Sequence, residues 1–150
     1  MKRKALTITL AAVMAMGTCA VTASAADGDT YTIGICQLVQ HEALDAATQG
    51  FKDEIVKELG EDAVTFDEQN AQGDSNTCST IINSFVSNNV DLILANATPA
   101  LQAAAAGTSD IPILGTSVTE YGVALGLDDF DGTVGGNISG TADLAPLDEQ

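Results

Sequence analysis

The sequence predicts an α/β protein: a doubly wound parallel sheet with flanking helices. Three observations carry this. Short apolar segments alternate with amphipathic ones in the order β-α-β-α-β-α-β. The helical segments between them run to roughly 10–18 residues, long enough to cross back over a sheet in right-handed βαβ units. Glycine, proline and capping residues fall at the joints rather than inside the segments.

Taken in order, residues 31–36 (YTIGIC) read as a first strand. Residues 42–59 read as a helix, with Leu44, Ala47, Phe51, Ile55 and Leu59 at three- and four-residue spacings. Gly60 stops it, as a C-terminal glycine does. Residues 63–66 form a second strand. Asp74 or Ser75 caps a second helix bearing Ile81, Ile82, Phe85 and Val86; Phe51 and Phe85 stand at core spacing. Residues 90–95 are apolar enough for a central strand. Thr98-Pro99 opens a third helix, with Thr98 as N-cap and Pro99 preorganised at the first helical position; it ends at Gly107. Residues 111–115 form a fourth strand with Pro112 near its start, where a missing N–H costs least. After Gly115 the pattern loosens into small and polar residues.

The amino terminus has a different character. Lys2, Arg3 and Lys4 precede an apolar run over residues 5–21, and Ala23-Ser24-Ala25 fits a small-x-small cleavage pattern. Residues 1–25 are therefore read as a secretory signal peptide, which implies an extracytoplasmic location. Cys19 follows Met16-Gly17-Thr18 rather than the Leu-Ala/Ser-Gly/Ala run of a lipidated cysteine, so simple cleavage is favoured over a lipid anchor. Residues 26–140 make one ordinary domain.

The formal net charge is −16, and the leader holds three of the five basic residues. Nucleic acid is excluded as a partner, because its phosphates need cations. So is docking on an anionic membrane surface. Cys36 and Cys78 fall on different elements and read as unpaired thiols. His41 is the only histidine, and no cluster has metal spacing. Asp128, Asp129 and Asp131 before Gly132 satisfy no calcium-loop register. Gly132, Gly135, Gly136 and Gly140 follow the fourth strand rather than the first, so they are not a dinucleotide fingerprint. No cofactor and no catalytic set is expected.

What the strands share is their polar ends. Gln37 and His41 follow the first, and Gln69, Asn70, Gln72 and Asp74 the second. Asn96 and Thr98 follow the third, and Thr116, Ser117 and Thr119 the fourth. In a parallel sheet all four sets lie on one rim, beside helix N-termini whose N–H groups attract anions. Such a rim suits a small polar ligand bearing a carboxylate.

Five segments, VQHEALDAATQGF, NAQGD, ATPALQAAA, IPILGTSVTE and GGNISGTAD, occur in this order between residues 39 and 143. In content and spacing the chain resembles the tryptophan/tyrosine-type ABC transporter substrate-binding proteins. The resemblance implies a type I periplasmic-binding fold, in which two α/β lobes clamp an amino acid, often aromatic, and deliver it to an ABC permease. It implies that Gln37 and Asn70 lie in cleft-facing turns. Thr98 and its helix would receive the ligand carboxylate, Ser117 and Thr119 would line the cleft, and Asp143 would meet the ammonium. Three positions depart from the family pattern. Glu42-Ala43 stands where a proline is usual, Glu120-Tyr121 replaces an Asp-Pro pair, and Cys36 replaces a smaller residue. Family members are about twice as long, so the chain reads as the first lobe of such a receptor, truncated, with residues 141–150 starting the crossing to a second lobe. A ligand-sensing domain of the same fold from a signalling receptor is the alternative. A hydrolase using Cys36 and His41 is a distant third.

Overall fold

The computed structural model describes residues 30–143. The expected leader, Cys19 and most of the expected crossing at 141–150 lie outside the described residues. The elements are β1 (Tyr31–Gln37), α1 (Glu42–Leu59), β2 (Val64–Asn70) after a short 3₁₀ turn (Glu61–Ala63), α2 (Ser75–Ser87), β3 (Leu92–Asn96), α3 (Thr98–Gly107), β4 (Ile113–Val118), α4 (Tyr121–Leu125) and β5 (Ile138–Ala142). All five strands are parallel, in the order β2-β1-β3-β4-β5.

Alternation along the central strands sorts the two cores. Ile33, Ile35 and Leu94 point to the face covered by α1, where Phe51 and Ile55 pack on them. Cys36, Ile93, Ala95 and Ile113 point to the other face. There they meet Cys78, Ile82 and Phe85 of α2, Leu101 and Ala104 of α3, and Tyr121 and Ala124 of α4. Phe85 is fully buried, and it fits because residue 34 has no side chain. A Cβ at Gly34 would lie 2.6 Å from the Phe85 ring.

Several boundaries differ from the sequence expectation, each for a physical reason. β2 continues to Asn70 through Asp67, Glu68 and Gln69. It is an edge strand, and main-chain pairing with residues 34–37 of β1 needs no apolar side chains. β4 likewise continues to Val118, with Thr116 opposite Asn96. The N-cap of α3 is Ala97, not Thr98. Thr98 is the first helical residue and Pro99 the second, where a missing N–H is still harmless. Two elements have no strong signal in the sequence. α4 is short and held by its cap: the Glu120 carboxylate accepts from the N–H groups of Gly122 (2.7 Å) and Val123 (2.6 Å). Glu120 is thus the N-cap of the helix that follows it. β5 is a second edge strand of small residues. A Cβ at Gly140 would run into the Tyr121 hydroxyl and the Gly115 backbone, so that position takes only glycine. The strand carries the sheet to Ala142, placing the expected lobe boundary at 140 inside it.

Candidate functional site

The parallel register aligns the carboxyl ends of the strands. Gln37 pairs with both Asn70 and Asn96, Asn96 with Thr116, and Val118 with Ala142. The chain leaves β1 toward β2 on one side and reaches β3 on the other. The topological switch therefore lies between β1 and β3, the position where open α/β sheets bind ligands.

Below that switch runs a polar relay. Gln37 is buried, and its amide nitrogen donates to Asp45 Oδ1 (2.6 Å) and the Val39 carbonyl (3.0 Å). Its amide oxygen accepts from the Thr48 hydroxyl at 2.7 Å. Asn96 is fully buried and donates to Thr48 Oγ1 (2.9 Å) and the Leu44 carbonyl (2.8 Å). The relay ties the ends of β1 and β3 to the first turns of α1. Asn96 Oδ1 finds no donor among the described residues. Gln37 has committed its amide to this scaffold, so its geometry is that of a positioning residue.

Asn70 opens the turn to α2. Its Oδ1 accepts from Gln72 N–H at 2.8 Å, and Gln72 (φ 54°) and Gly73 (φ 84°) take left-handed backbone. Ala71 and Gly73 N–H groups donate to the carbonyls of Gln37 and Leu38. Gln37 and Asn70 are brought together in an open cleft of about 530 Å³, with Val39, Gln40, Asp45 and Glu68.

At the end of β3 the backbone is strained. Ala97 sits at φ 93°, ψ 157°, a region that is essentially glycine-only and costs about 1–3 kcal/mol. Its N–H donates to the Thr116 carbonyl (3.0 Å) and its carbonyl accepts from Leu101 N–H (3.1 Å). The N–H groups of Thr98 and Ala100 then have no acceptor among the described residues, as expected of a first helical turn. Ser117, next to the Thr116 anchor, is also left-handed, at φ 55°. It lies where the β4–β5 register shifts, between Gly115 and Val118. Thr119 lines a second cleft of about 570 Å³, with Tyr121, Phe130, Val134, Ile138 and Ala142 among its walls. Asp143 closes the rim; its N–H donates to the Val118 carbonyl at 3.0 Å and its side chain is exposed. Thr98, Ser117 and Asp143 line neither of these clefts.

Ala97 is the site feature that the sequence hides. A glycine there would have announced the left-handed turn, but an alanine does not. The Cys36–His41 pairing is overturned. His41 caps α1, its Nδ1 accepting from Ala43 N–H at 3.2 Å, while Cys36 is buried on the opposite face of the sheet with Cys78. Burial, and secondarily the neighbouring Cys78, push the Cys36 thiol far above its usual range, the reverse of what a nucleophile needs.

With this geometry, a carboxyl-edge rim of amide, hydroxyl and backbone N–H groups over a doubly wound sheet, the chain has the form of a ligand-binding lobe. The family model for ABC transporter substrate binding proteins matches residues 32–150, and the chain belongs to that family, whose members bind rather than catalyse. It is 45% identical over 123 residues to a tyrosine-binding protein of Clostridioides difficile, covering 78% of this chain and 34% of that protein. Among solved structures, the ligand-free, open form of a Clostridium difficile substrate binding protein with adhesive properties superposes with a TM-score of 0.73 at 43% identity. A Streptococcus pneumoniae ABC domain in complex with L-Trp does so with a TM-score of 0.73 at 32% identity. These matches cover 80% and 81% of this chain and 41% of each structure. The fold is the type I periplasmic-binding fold, and the chain spans well under half the length of these relatives.

Proposed function

We propose that this chain supplies one wall of the cleft of an extracytoplasmic substrate-binding protein, which binds an amino acid of the aromatic class and delivers it to an ABC permease. The observation that carries this reading is the start of α3. The half-buried N–H of Thr98, unengaged, stands at a helix N-terminus beside the topological switch, where a ligand carboxylate would meet it, while the N–H of Ala100 behind it is fully buried and adds only to the partial charge of that first turn. The tyrosine-binding relative and the L-Trp complex support the ligand class. Ser117 and Thr119 offer hydroxyls along the same rim, and Asp143 an anion for the ammonium. The second wall would come from the part of the relatives' length that this chain does not span.

One wall binds weakly. If half the contacts of a micromolar complex are lost, about −4 of −8 kcal/mol remains, a dissociation constant near millimolar. The test is therefore an amide-resolved NMR titration with millimolar L-tryptophan, with a neutral sugar as control. Shifts should centre on Thr98 and Ser117. Asp143→Asn should weaken tryptophan but not the same acid lacking its amino group. Shifts confined to the 570 Å³ cleft at Phe130 and Val134, or an equal response to the sugar, would refute the assignment.

A further inference from the structure

Two thiols in this fold have no part in ligand binding, yet the topology sets them against each other. Cys36 is the penultimate residue of β1, and Cys78 lies in the first turns of α2. Both are free, fully buried, and in the same core cluster. The approach is fixed at both ends. At the rim, Ala71 and Gly73 N–H groups donate to the Gln37 and Leu38 carbonyls at 2.8 and 2.7 Å, holding the turn before α2 against the end of β1. Deeper in the core, Phe85 of α2 lies over Gly34 of β1, two residues before Cys36. α2 therefore lies along β1, with Cys78 over Cys36, and each thiol lies close enough to perturb the titration of the other.

We propose that Cys36 and Cys78 are a disulfide-competent pair, closed by exchange with a small-molecule disulfide while the chain folds and sealed in the core afterwards. The chemistry balances. The thiolate of one cysteine attacks a sulfur of the small disulfide, forming a mixed disulfide and releasing one small thiol. The second cysteine's thiolate then attacks the protein sulfur of that mixed disulfide, displacing the second small thiol. The two protein protons end on the two released thiols. The bond would clamp the Asn70–Asp74 turn, part of the binding rim, to β1. It closes a loop of some forty residues, so it constrains the unfolded chain more than the folded one. Burial sets the timing: in the folded chain neither sulfur is exposed, and burial keeps both thiols protonated.

The experiment uses the whole chain with Cys19→Ser, so that only this pair can react. The chain is unfolded in urea and refolded with oxidised and reduced glutathione. Thiol titration under denaturing conditions should fall from two per chain to none, and the mass should drop by two hydrogen atoms with no glutathione attached. The closed form should unfold at higher urea than the same chain refolded with a reductant. Folded, reduced chain placed in the same glutathione buffer should keep both thiols over the same period. A refolded chain that retains two thiols, or carries glutathione, would show that the sulfurs cannot meet. A closed form that unfolds at lower urea would show that the bond distorts the packing. Rapid closure in the folded state would remove the seal. Any of these results overturns the proposal.

Discussion

Replacing Ala97 with glycine tests whether the strain at the start of α3 is real. At φ 93°, ψ 157°, the alanine costs about 1–3 kcal/mol, which glycine would relieve. Glycine also brings losses. It adds about 0.5–1 kcal/mol of unfolded-chain entropy, and it removes a mostly buried methyl worth about 0.8 kcal/mol. Gain and loss nearly cancel, so Ala97→Gly should be neutral or slightly stabilising. Ala104→Gly is the matched control. Ala104 is helical and fully buried, with no strain to relieve. It should lose about 1 kcal/mol of helix propensity and about 0.8 kcal/mol of burial. In urea unfolding, with a slope of about 1.5 kcal/mol/M, the control should move the midpoint down by roughly 1.2 M while Ala97→Gly stays within about 0.5 M of the parent. Equal losses at the two positions would refute the strain, and with it the reason given for how the Thr98 N–H group is presented.

Gly34→Ala should destabilise by about 1–3 kcal/mol through overpacking against Phe85, and Phe85→Leu in the same chain should recover part of that loss in urea unfolding. Thr48→Val is nearly isosteric but leaves Gln37 Oε1 without its donor and removes one of the two acceptors of Asn96. It should cost about 1–3 kcal/mol, against less than about 0.5 for an exposed control such as Thr80→Val. Glu120→Ala removes both cap bonds of α4 and should cost about 0.5–2 kcal/mol, with Glu120→Asp restoring much of it. The Cys36, Cys78 and Tyr121 groups are all raised, chiefly by burial. Their unfolded forms ionise first, so stability should be flat below the ordinary thiol value of 9.0 and fall as pH rises beyond it. Cys36→Ser should flatten that fall, and an unchanged slope would show that the thiol does not contribute to it.

The parts of the fold legible in the sequence are those where side-chain burial and backbone structure agree. β1, β3 and α2 are buried on the faces that pattern predicts, and α1 shows its apolar stripe. The legible signal fades at the edges. β2 beyond Phe66 is held by main-chain pairing, which leaves no mark on side-chain choice, and β5 is marked only by Gly140 and Ile138, too little for a strand pattern. Of the candidate site, the register of polar strand ends was legible because a parallel sheet puts every carboxyl end on one edge. The roles within that register were less so. Gln37 reads from sequence as a cleft residue and lies at the cleft wall, but its buried amide is bonded to Asp45 and Thr48, partners that no local pattern reveals. Thr98 reads as a cap because threonine commonly caps, yet the chain turns one residue earlier, at an alanine whose conformation has no sequence signature.

Charge gives the remaining constraint on how such a rim can work. A carboxylate must be met by something positive, and the chain carries a net −16. Among the described residues Lys52 and Lys57 are the only basic side chains besides His41, and both are engaged on α1. Lys52 bonds Glu68 at 2.8 Å and lies over the Phe66 ring, while Lys57 bonds Glu54 at 2.7 Å. α1 starts at the rim and runs away from it. At 1.5 Å per residue, the backbone of these lysines lies about 15 and 22 Å along the helix from its start, beyond the roughly 10 Å over which an exposed charge acts at moderate salt. The Lys52 ammonium does reach Glu68, a wall of the 530 Å³ cleft, but it is committed to that carboxylate; on the proposed reading no lysine is left free for the ligand at the start of α3. The uncommitted positive charge there is the partial charge of helix N–H groups. That charge is directional and fixed in the backbone, so its usefulness depends on where the first turn points, and here that direction is set by one strained alanine anchored to Thr116 and Leu101.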